Sequence, residues 1–109
     1  MRGFGLAFRA GFFLILAGSV EPVLADACDD ADGTSVSVST IIDEVEKDDD
    51  GWTIWIRDGV SVGGCDLDTI ETNSRPPQHC RAGSRIDASG TFADYIFYTA
   101  VIADSFSCH

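Results

Sequence analysis

The spacing of the four cysteines constrains the fold of this 109-residue chain more than any other feature. They are Cys28, Cys65, Cys80 and Cys108, and no two of them are close neighbours along the sequence. A structural zinc site takes its thiolates from pairs at short spacing, whereas an even number of cysteines in an exported chain indicates disulfides. Four cysteines allow three pairings. We favour Cys65–Cys80, which closes a local loop, together with Cys28–Cys108, which ties the two ends of the domain.

Residues 1–25 have the pattern of a secretory signal peptide. Two arginines make the start positive, and the apolar run AGFFLILAGSV follows over residues 10–20. This run is shorter than the roughly 20 apolar residues that a membrane-spanning helix needs. Small and apolar residues then predict cleavage after Ala25, with Ala27 as the second choice.

The alternatives for the N-terminal segment are a buried helix and a lipid anchor on Cys28. Asp26 fits a lipidation sequence poorly, which argues against the anchor. Cleavage leaves residues 26–109 as one domain, and so small a domain buries a modest core and often needs disulfides. The predicted location is secreted or periplasmic, where disulfides persist.

The charge of the chain restricts its partners. The net charge is −11 at pH 7, and loss of two arginines and one glutamate with the signal peptide makes the domain −12. Proteins that bind nucleic acid attract phosphates through a basic field. An acidic domain repels phosphates and anionic membranes, so nucleic acid is not an expected partner. The negative charge also keeps an exported domain soluble.

Alternation of β-branched and polar residues predicts an all-β fold. The segment TSVSVSTII, for example, places apolar residues on one face and serines on the other. Irregularities are expected at Asp43 and Glu44, where the alternation slips, and at Gly90, a point of sharp coiling. Five strands are predicted, over residues 34–42, 51–58, 65–72, 84–92 and 95–106.

The segment GWTIWIRD in the second strand carries both tryptophans. Trp52 shares a face with Ile54 and Ile56, and we predict that it lies in the core. Trp55 shares the opposite face with Arg57, and an exposed aromatic ring beside a guanidinium suits a sugar, a planar ligand or a protein partner. The alternative is that Trp55 packs beneath the proline-containing connection after the third strand.

The order of these strands resembles the OB-fold. The most similar part is Ala82 to Ala103, where the rhythm of GSRIDASGTF precedes an apolar last strand containing TAVIA. The resemblance implies a five-stranded Greek-key barrel whose closure leaves few exposed edges. A small β-sandwich and an SH3-like barrel are the alternatives.

The same resemblance implies where a ligand would bind. OB domains bind on the second and third strands, between the loop that joins strands one and two and the loop that joins strands four and five. In this chain those loops are EKDDDG, residues 46–51, and residues 94–97. The implied ligand-binding residues on the strands are Thr53, Trp55, Arg57, Asp66 and Asp68.

Metal and catalytic chemistry find little support in the sequence. EKDDDG matches the start of an EF-hand loop, but Arg57 occupies the position of the bidentate glutamate. Asp48 and Asp50 remain only a weak candidate for a divalent cation, and no cofactor is expected. His79 and His109 have no local partner that would mark a nucleophile and its base, so we predict no catalytic residue.

The function that these observations favour is an exported binding or interaction module rather than an enzyme. Its partner would be a protein, a small molecule or a glycan. One alternative is a receptor- or glycan-binding subunit of a secreted oligomeric assembly, because OB barrels also serve as sugar-binding toxin subunits. A second alternative is a small hydrolase that uses carboxylates or His79.

Overall fold

The computed structural model describes residues 27–109. The predicted signal peptide and its cleavage site after Ala25 lie outside the described residues. A short helix, α1, covers residues 27–31. The strands that follow are β1 (Ser35–Asp48), β2 (Gly51–Ile56), β3 (Ser61–Val62), β4 (Cys65–Asp66), β5 (Thr69–Thr72), β6 (Arg85–Asp94) and β7 (Thr99–Cys108).

Five of these strands close into a barrel in the order β1-β2-β5-β7-β6, and β1 pairs with β6 to complete the ring. β5 and β7 run parallel, while the other barrel pairs are antiparallel. β3 and β4 form a separate two-stranded hairpin. The predicted all-β class and the closed five-stranded barrel are confirmed, and the strand order is compatible with an OB-like fold.

β1 is long enough to pair with both β6 and β2. Its first half pairs with β6, its second half pairs with β2, and the register shifts between Ile42 and Glu44. A bulge bends a strand and increases its twist, so the bend turns β1 from one neighbour to the other. The irregularity predicted at Asp43 and Glu44 is confirmed.

A second register shift lies in β6, at Gly90. The pairing of β6 with β7 shifts register between Ser89 and Gly90. A Cβ atom at position 90 would overlap the backbone carbonyl of Ile102. The two strands therefore approach more closely here than any residue with a side chain allows, as the sequence pattern predicts for this glycine.

The core consists of branched aliphatic side chains and one phenylalanine from the inner faces of the barrel strands. Burial of each such side chain contributes about 2 kcal/mol to stability. Its largest fully buried apolar members are Ile42, Ile54, Ile70, Ile86, Phe92 and Val101.

The four cysteines form two disulfides, but the expected pairing is wrong. The bonds are Cys28–Cys65 and Cys80–Cys108, with Cα–Cα distances of 4.9 and 5.4 Å. Cys65 lies just before β5, whereas Cys108 ends β7, and these two strands are parallel. The bonds therefore lie at opposite ends of the barrel. Cys80 is remote from Cys65 because β5 and the connection after it carry the chain from one end to the other.

Three predicted strands differ clearly from the observed ones. The first, predicted over residues 34–42, continues past the bulge to Asp48, so the connection predicted over residues 46–51 shortens to a turn of two residues. The third strand, predicted over residues 65–72, is divided into β4 and β5, since the hairpin of β3 and β4 takes its first two residues. The last strand begins at Thr99, because the backbone turns at Tyr95, whose N–H donates to the carbonyl of Tyr98. The intervening residues 95–98 form a loop at the barrel surface.

The disulfides indicate an oxidising compartment. Within residues 27–109, no helix is both long enough and apolar enough to cross a membrane.

Candidate functional site

The outer face of β2 and β5 is the surface on which the sequence places a ligand. Thr53 and Trp55 of β2 stand opposite Glu71 and Thr69 of β5. The turn between β1 and β2 closes one end of this face, and the loop over residues 95–98 closes the other. This turn and this loop overlap the segments over residues 46–51 and 94–97 that the OB resemblance implies as borders of a site.

Three aromatic rings are grouped on the face. The ring centroids of Trp55 and Tyr98 are 6.2 Å apart, and those of Tyr95 and Tyr98 are 4.9 Å apart. Both pairs are tilted, within the range of separations that favours aromatic contact. The indole N–H of Trp55 donates to Glu46 at 3.0 Å, and the side chain is 36% exposed. Trp55 therefore remains accessible to a ligand.

Glu71 lies at the centre of this group and orients both tyrosines. One carboxylate oxygen accepts the hydroxyl of Tyr95, and the other accepts that of Tyr98, each at 3.1 Å. Partial burial, followed by the hydrogen bond to Glu71, raises the pKa of each phenol above its ordinary value. The two hydrogen bonds to Glu71 hold the tyrosine rings in place.

A groove of about 530 Å³ runs between the acidic turn and these tyrosines. Its acidic wall is the turn segment Asp48–Asp50, and Glu71, Tyr95 and Tyr98 form the wall opposite. Within residues 27–109, none of these carboxylates has a lysine or arginine nitrogen at salt-bridge distance. The groove is consequently an acidic channel with aromatic sides.

The loop over residues 95–98 forms a ridge between this groove and a second, more open one of about 430 Å³. Ile96 and Phe97 project from the ridge with 91% and 94% of their surface exposed. We use the term aromatic face for the surface made by Trp55, Tyr95, Ile96, Phe97, Tyr98 and Ile102. Among the residues that the structure describes, it includes every large hydrophobic side chain that is exposed.

None of the five predicted ligand-binding residues lines the main groove. Thr53 is buried, with its hydroxyl donated to Asp48, and Trp55 lies beside Tyr98, outside the lining. Asp66 and Asp68 border the second groove. The carboxylate of Asp68 accepts the backbone N–H of Thr99 at 2.9 Å, and the Thr99 hydroxyl donates to the carbonyl of Asp66. These contacts attach the start of β7 to the segment before β5. Arg57 is exposed just beyond β2 and lines neither groove.

The prediction that Trp52 lies in the core is wrong. Its side chain is half-buried at the start of β2, next to the turn, where the barrel interior ends. Lys47 and Arg75 lie over its ring, 5.6 and 5.7 Å from the centroid. The connection after β5 therefore reaches Trp52 through Arg75, and the ring makes cation–π contacts on the surface.

The candidate cation site at Asp48 and Asp50 has little to support it. The carboxylate of Asp48 accepts the hydroxyl of Thr53. In the part of the chain that the structure covers, no group of three or more metal-ligating side chains is close enough together to hold an ion. Two carboxylates alone leave most of the ligand positions of Ca²⁺ unfilled.

Ser107, His109 and Asp87 come together at the ends of β6 and β7, but not as a catalytic triad. Nε2 of His109 lies 2.9 Å from Asp87 and 3.5 Å from the Ser107 hydroxyl. A triad uses one ring nitrogen for the serine and the other for the carboxylate, and here both contacts involve the same nitrogen. A hydrogen bond from Ser39, and then the one from His109, lowers the pKa of Asp87.

His79 lies near the second disulfide. Its Nε2 is 3.1 Å from the carbonyl of Cys108, which attaches the connection after β5 to the end of β7. No nucleophilic side chain of residues 27–109 is hydrogen-bonded to this ring. The observed contact is structural.

Sequence reasoning missed Glu71, Tyr98 and Ile102. The sequence places Tyr98 in a last strand over residues 95–106, among aromatic residues expected to fill the core or cover the barrel ends. It does not show which side chains Glu71 meets across the barrel. The available signal is the segment YIFY, whose four apolar side chains cannot all alternate into a core.

The comparisons with known proteins assign no family. No protein-family model matches the chain, and no curated protein matches it. The candidate site therefore rests on the geometry of the aromatic face and the grooves beside it.

Proposed function

We propose that this protein is a small exported binding module, built on an OB-like barrel, that takes its ligand on the aromatic face. The observation that carries the proposal is the grouping of the exposed large hydrophobic side chains of residues 27–109 around Tyr95 and Tyr98. Large contiguous apolar patches on soluble proteins commonly mark interaction sites.

The location of the patch within the barrel supports the proposal. OB-fold domains bind on their second and third strands, between two loops. Here β2 and β5 are the second and third strands of the barrel, and the turn after β1 and the loop after β6 border them. Export is supported by the two disulfides, which persist in oxidising compartments.

The arrangement of Glu71 gives the aromatic face a fixed shape. Each of its carboxylate oxygens accepts one tyrosine hydroxyl. The carboxylate therefore positions Tyr95 and Tyr98 as contact surfaces for a ligand.

A glycan is the second candidate ligand. The exposed ring of Trp55, with the carboxylate of Glu46 at its indole nitrogen, combines a stacking surface with a hydrogen-bond acceptor. Sugars bind to such combinations through their C–H faces and hydroxyls. If the chain is a glycan-binding subunit of an oligomeric assembly, light scattering of the protein will give a mass several times that of one chain.

The test is a binding screen of immobilised peptides, glycans and oligonucleotides with protein expressed from the full sequence into an oxidising compartment. We expect binding to peptides or glycans, and a loss of about tenfold in affinity for Trp55→Ala and for Phe97→Ser. Ser105→Ala, an exposed change elsewhere on β7, is the control. Binding that both substitutions on the aromatic face leave unchanged contradicts the proposal, as does the absence of any ligand.

A further inference from the structure

We infer that the partner of the aromatic face is a protein segment in which lysine or arginine side chains alternate with apolar ones. The inference rests on the proposed function and specifies the chemistry of the ligand. It follows from the charges of the main groove, the aromatic rings beside them and the apolar ridge next to both.

The charges of the groove call for a cationic ligand. Asp48, Asp49, Asp50 and Glu71 line it. The nearby cations Lys47 and Arg75 lie over Trp52, and within residues 27–109 neither forms a salt bridge with a carboxylate. A positively charged partner would be attracted by four carboxylates that carry no ion pair, and charge complementarity speeds association and excludes partners of the wrong sign.

The rings that flank the carboxylates are suited to the same ligand. A lysine or arginine side chain packs its apolar stem on an aromatic surface and places its charge over the ring. The molecule already makes this contact at Trp52, where Lys47 and Arg75 both lie within 6 Å of the ring centroid. Tyr95 and Tyr98 line the groove together with its carboxylates, and Trp55 extends this ring surface beyond Tyr98.

The apolar ridge excludes a purely ionic ligand. Ile96 and Phe97 are almost fully exposed, and burying them requires apolar groups on the partner. A simple polyamine has charges at suitable spacing but would leave both side chains in water. A second copy of this chain has 7 basic against 18 acidic side chains and so offers few cations to the groove. A segment with mixed basic and apolar side chains satisfies both parts of the surface.

Three synthetic heptapeptides test the inference: KFKLKFK, its neutral counterpart QFQLQFQ, and KSKSKSK, which has the charge without the apolar groups. Each is titrated into protein expressed from the full sequence, and binding is followed by calorimetry and tryptophan fluorescence. We expect KFKLKFK to bind about tenfold more tightly than either of the others. Raising NaCl from about 50 to about 500 mM should weaken its binding several-fold, because salt screens exposed charges.

Matched charge variants test the location. Asp49→Asn with Asp50→Asn removes two exposed carboxylates from the groove. Asp43→Asn with Asp58→Asn removes two from the other end of the β1–β2 pair, and these two line neither groove. We expect the first pair to weaken KFKLKFK binding about tenfold and the second by less than about twofold. Near-ultraviolet circular dichroism checks that both variants are folded.

The contrary outcomes separate this inference from the proposed function. If QFQLQFQ or KSKSKSK binds as tightly as KFKLKFK, the inference that the partner needs both basic and apolar side chains is wrong. If the two pairs of substitutions weaken binding equally, the groove is not where the basic side chains of the peptide bind. If no peptide binds, the inference fails, while ligands found in the screen of immobilised peptides and glycans would still support the proposed function.

Discussion

At the scale of single residues, Glu71 fixes the positions of two aromatic rings of the aromatic face. It faces outward from a barrel strand, and its two oxygens hold Tyr95 and Tyr98 from the loop after β6. One carboxylate thus orients two rings that are distant from it in sequence. Because Glu71 holds both rings in place before a ligand binds, binding loses less side-chain entropy.

Replacing Glu71 by Gln should lower the pKa of both phenols toward the ordinary value of 10.0. The shift should be partial, since burial is the larger cause of the raised pKa and the substitution leaves it in place. The chain has only two tyrosines, so an ultraviolet titration of phenolate formation reports on these two alone. An unchanged titration curve would show that Glu71 does not hold the hydroxyls.

The same pKa shifts predict how stability depends on alkaline pH. A folded-state pKa above the unfolded value means that the folded protein holds its proton more tightly. The two phenols therefore stabilise the folded state fully below the unfolded pKa of about 10. This stabilisation is lost as the pH rises through their folded-state pKa. Urea unfolding at increasing pH should therefore show a free energy of unfolding that declines above about pH 10, and less steeply in Glu71→Gln.

At the scale of elements, two backbone irregularities close the barrel. The bulge in β1 lets that strand pair with both β2 and β6, and the register shift at Gly90 brings β6 close to β7. Both follow from local sequence, because a break in alternation and a lone glycine have the same effect in any strand. The loop over residues 95–98 depends on the barrel, since its position follows from where β6 and β7 stop pairing.

Gly90→Ala should destabilise the protein by about 3 kcal/mol, because the added methyl group overlaps the Ile102 carbonyl and the strands must separate. Chemical denaturation measures the change. Ser105→Ala, an exposed change on the facing strand, is the control and should alter the free energy of unfolding by less than about 0.5 kcal/mol. Equal stability of the two variants would mean that the close approach of β6 and β7 is not required.

At the scale of the whole molecule, the two disulfides join segments at opposite ends of the barrel. Cys28–Cys65 attaches α1 to the hairpin of β3 and β4, and it borders the second groove. Cys80–Cys108 attaches the connection after β5 to the end of β7. Their sequence separations are 37 and 28 residues, so both restrict the unfolded chain substantially.

Replacing Cys80 and Cys108 together by alanine should cost about 3 kcal/mol of stability. Ligand binding by the folded fraction should be nearly unchanged, since neither residue lines a groove. Thermal unfolding and a binding titration below the transition measure the two effects. Mass spectrometry of proteolytic fragments without reduction tests the pairing directly, and a fragment linking Cys65 to Cys80 would contradict it.

The sequence by itself determined the all-β class, the bulge in β1, the role of Gly90 and the outward orientation of Trp55. These are local properties, because side chains alternate across a strand wherever the strand lies. Only the tertiary structure decided the disulfide partners, the surface position of Trp52 and the meeting of Glu71 with two tyrosines. Each depends on which strands become neighbours when the barrel closes and on the register between them, and residues far apart along the chain carry no local sign of either.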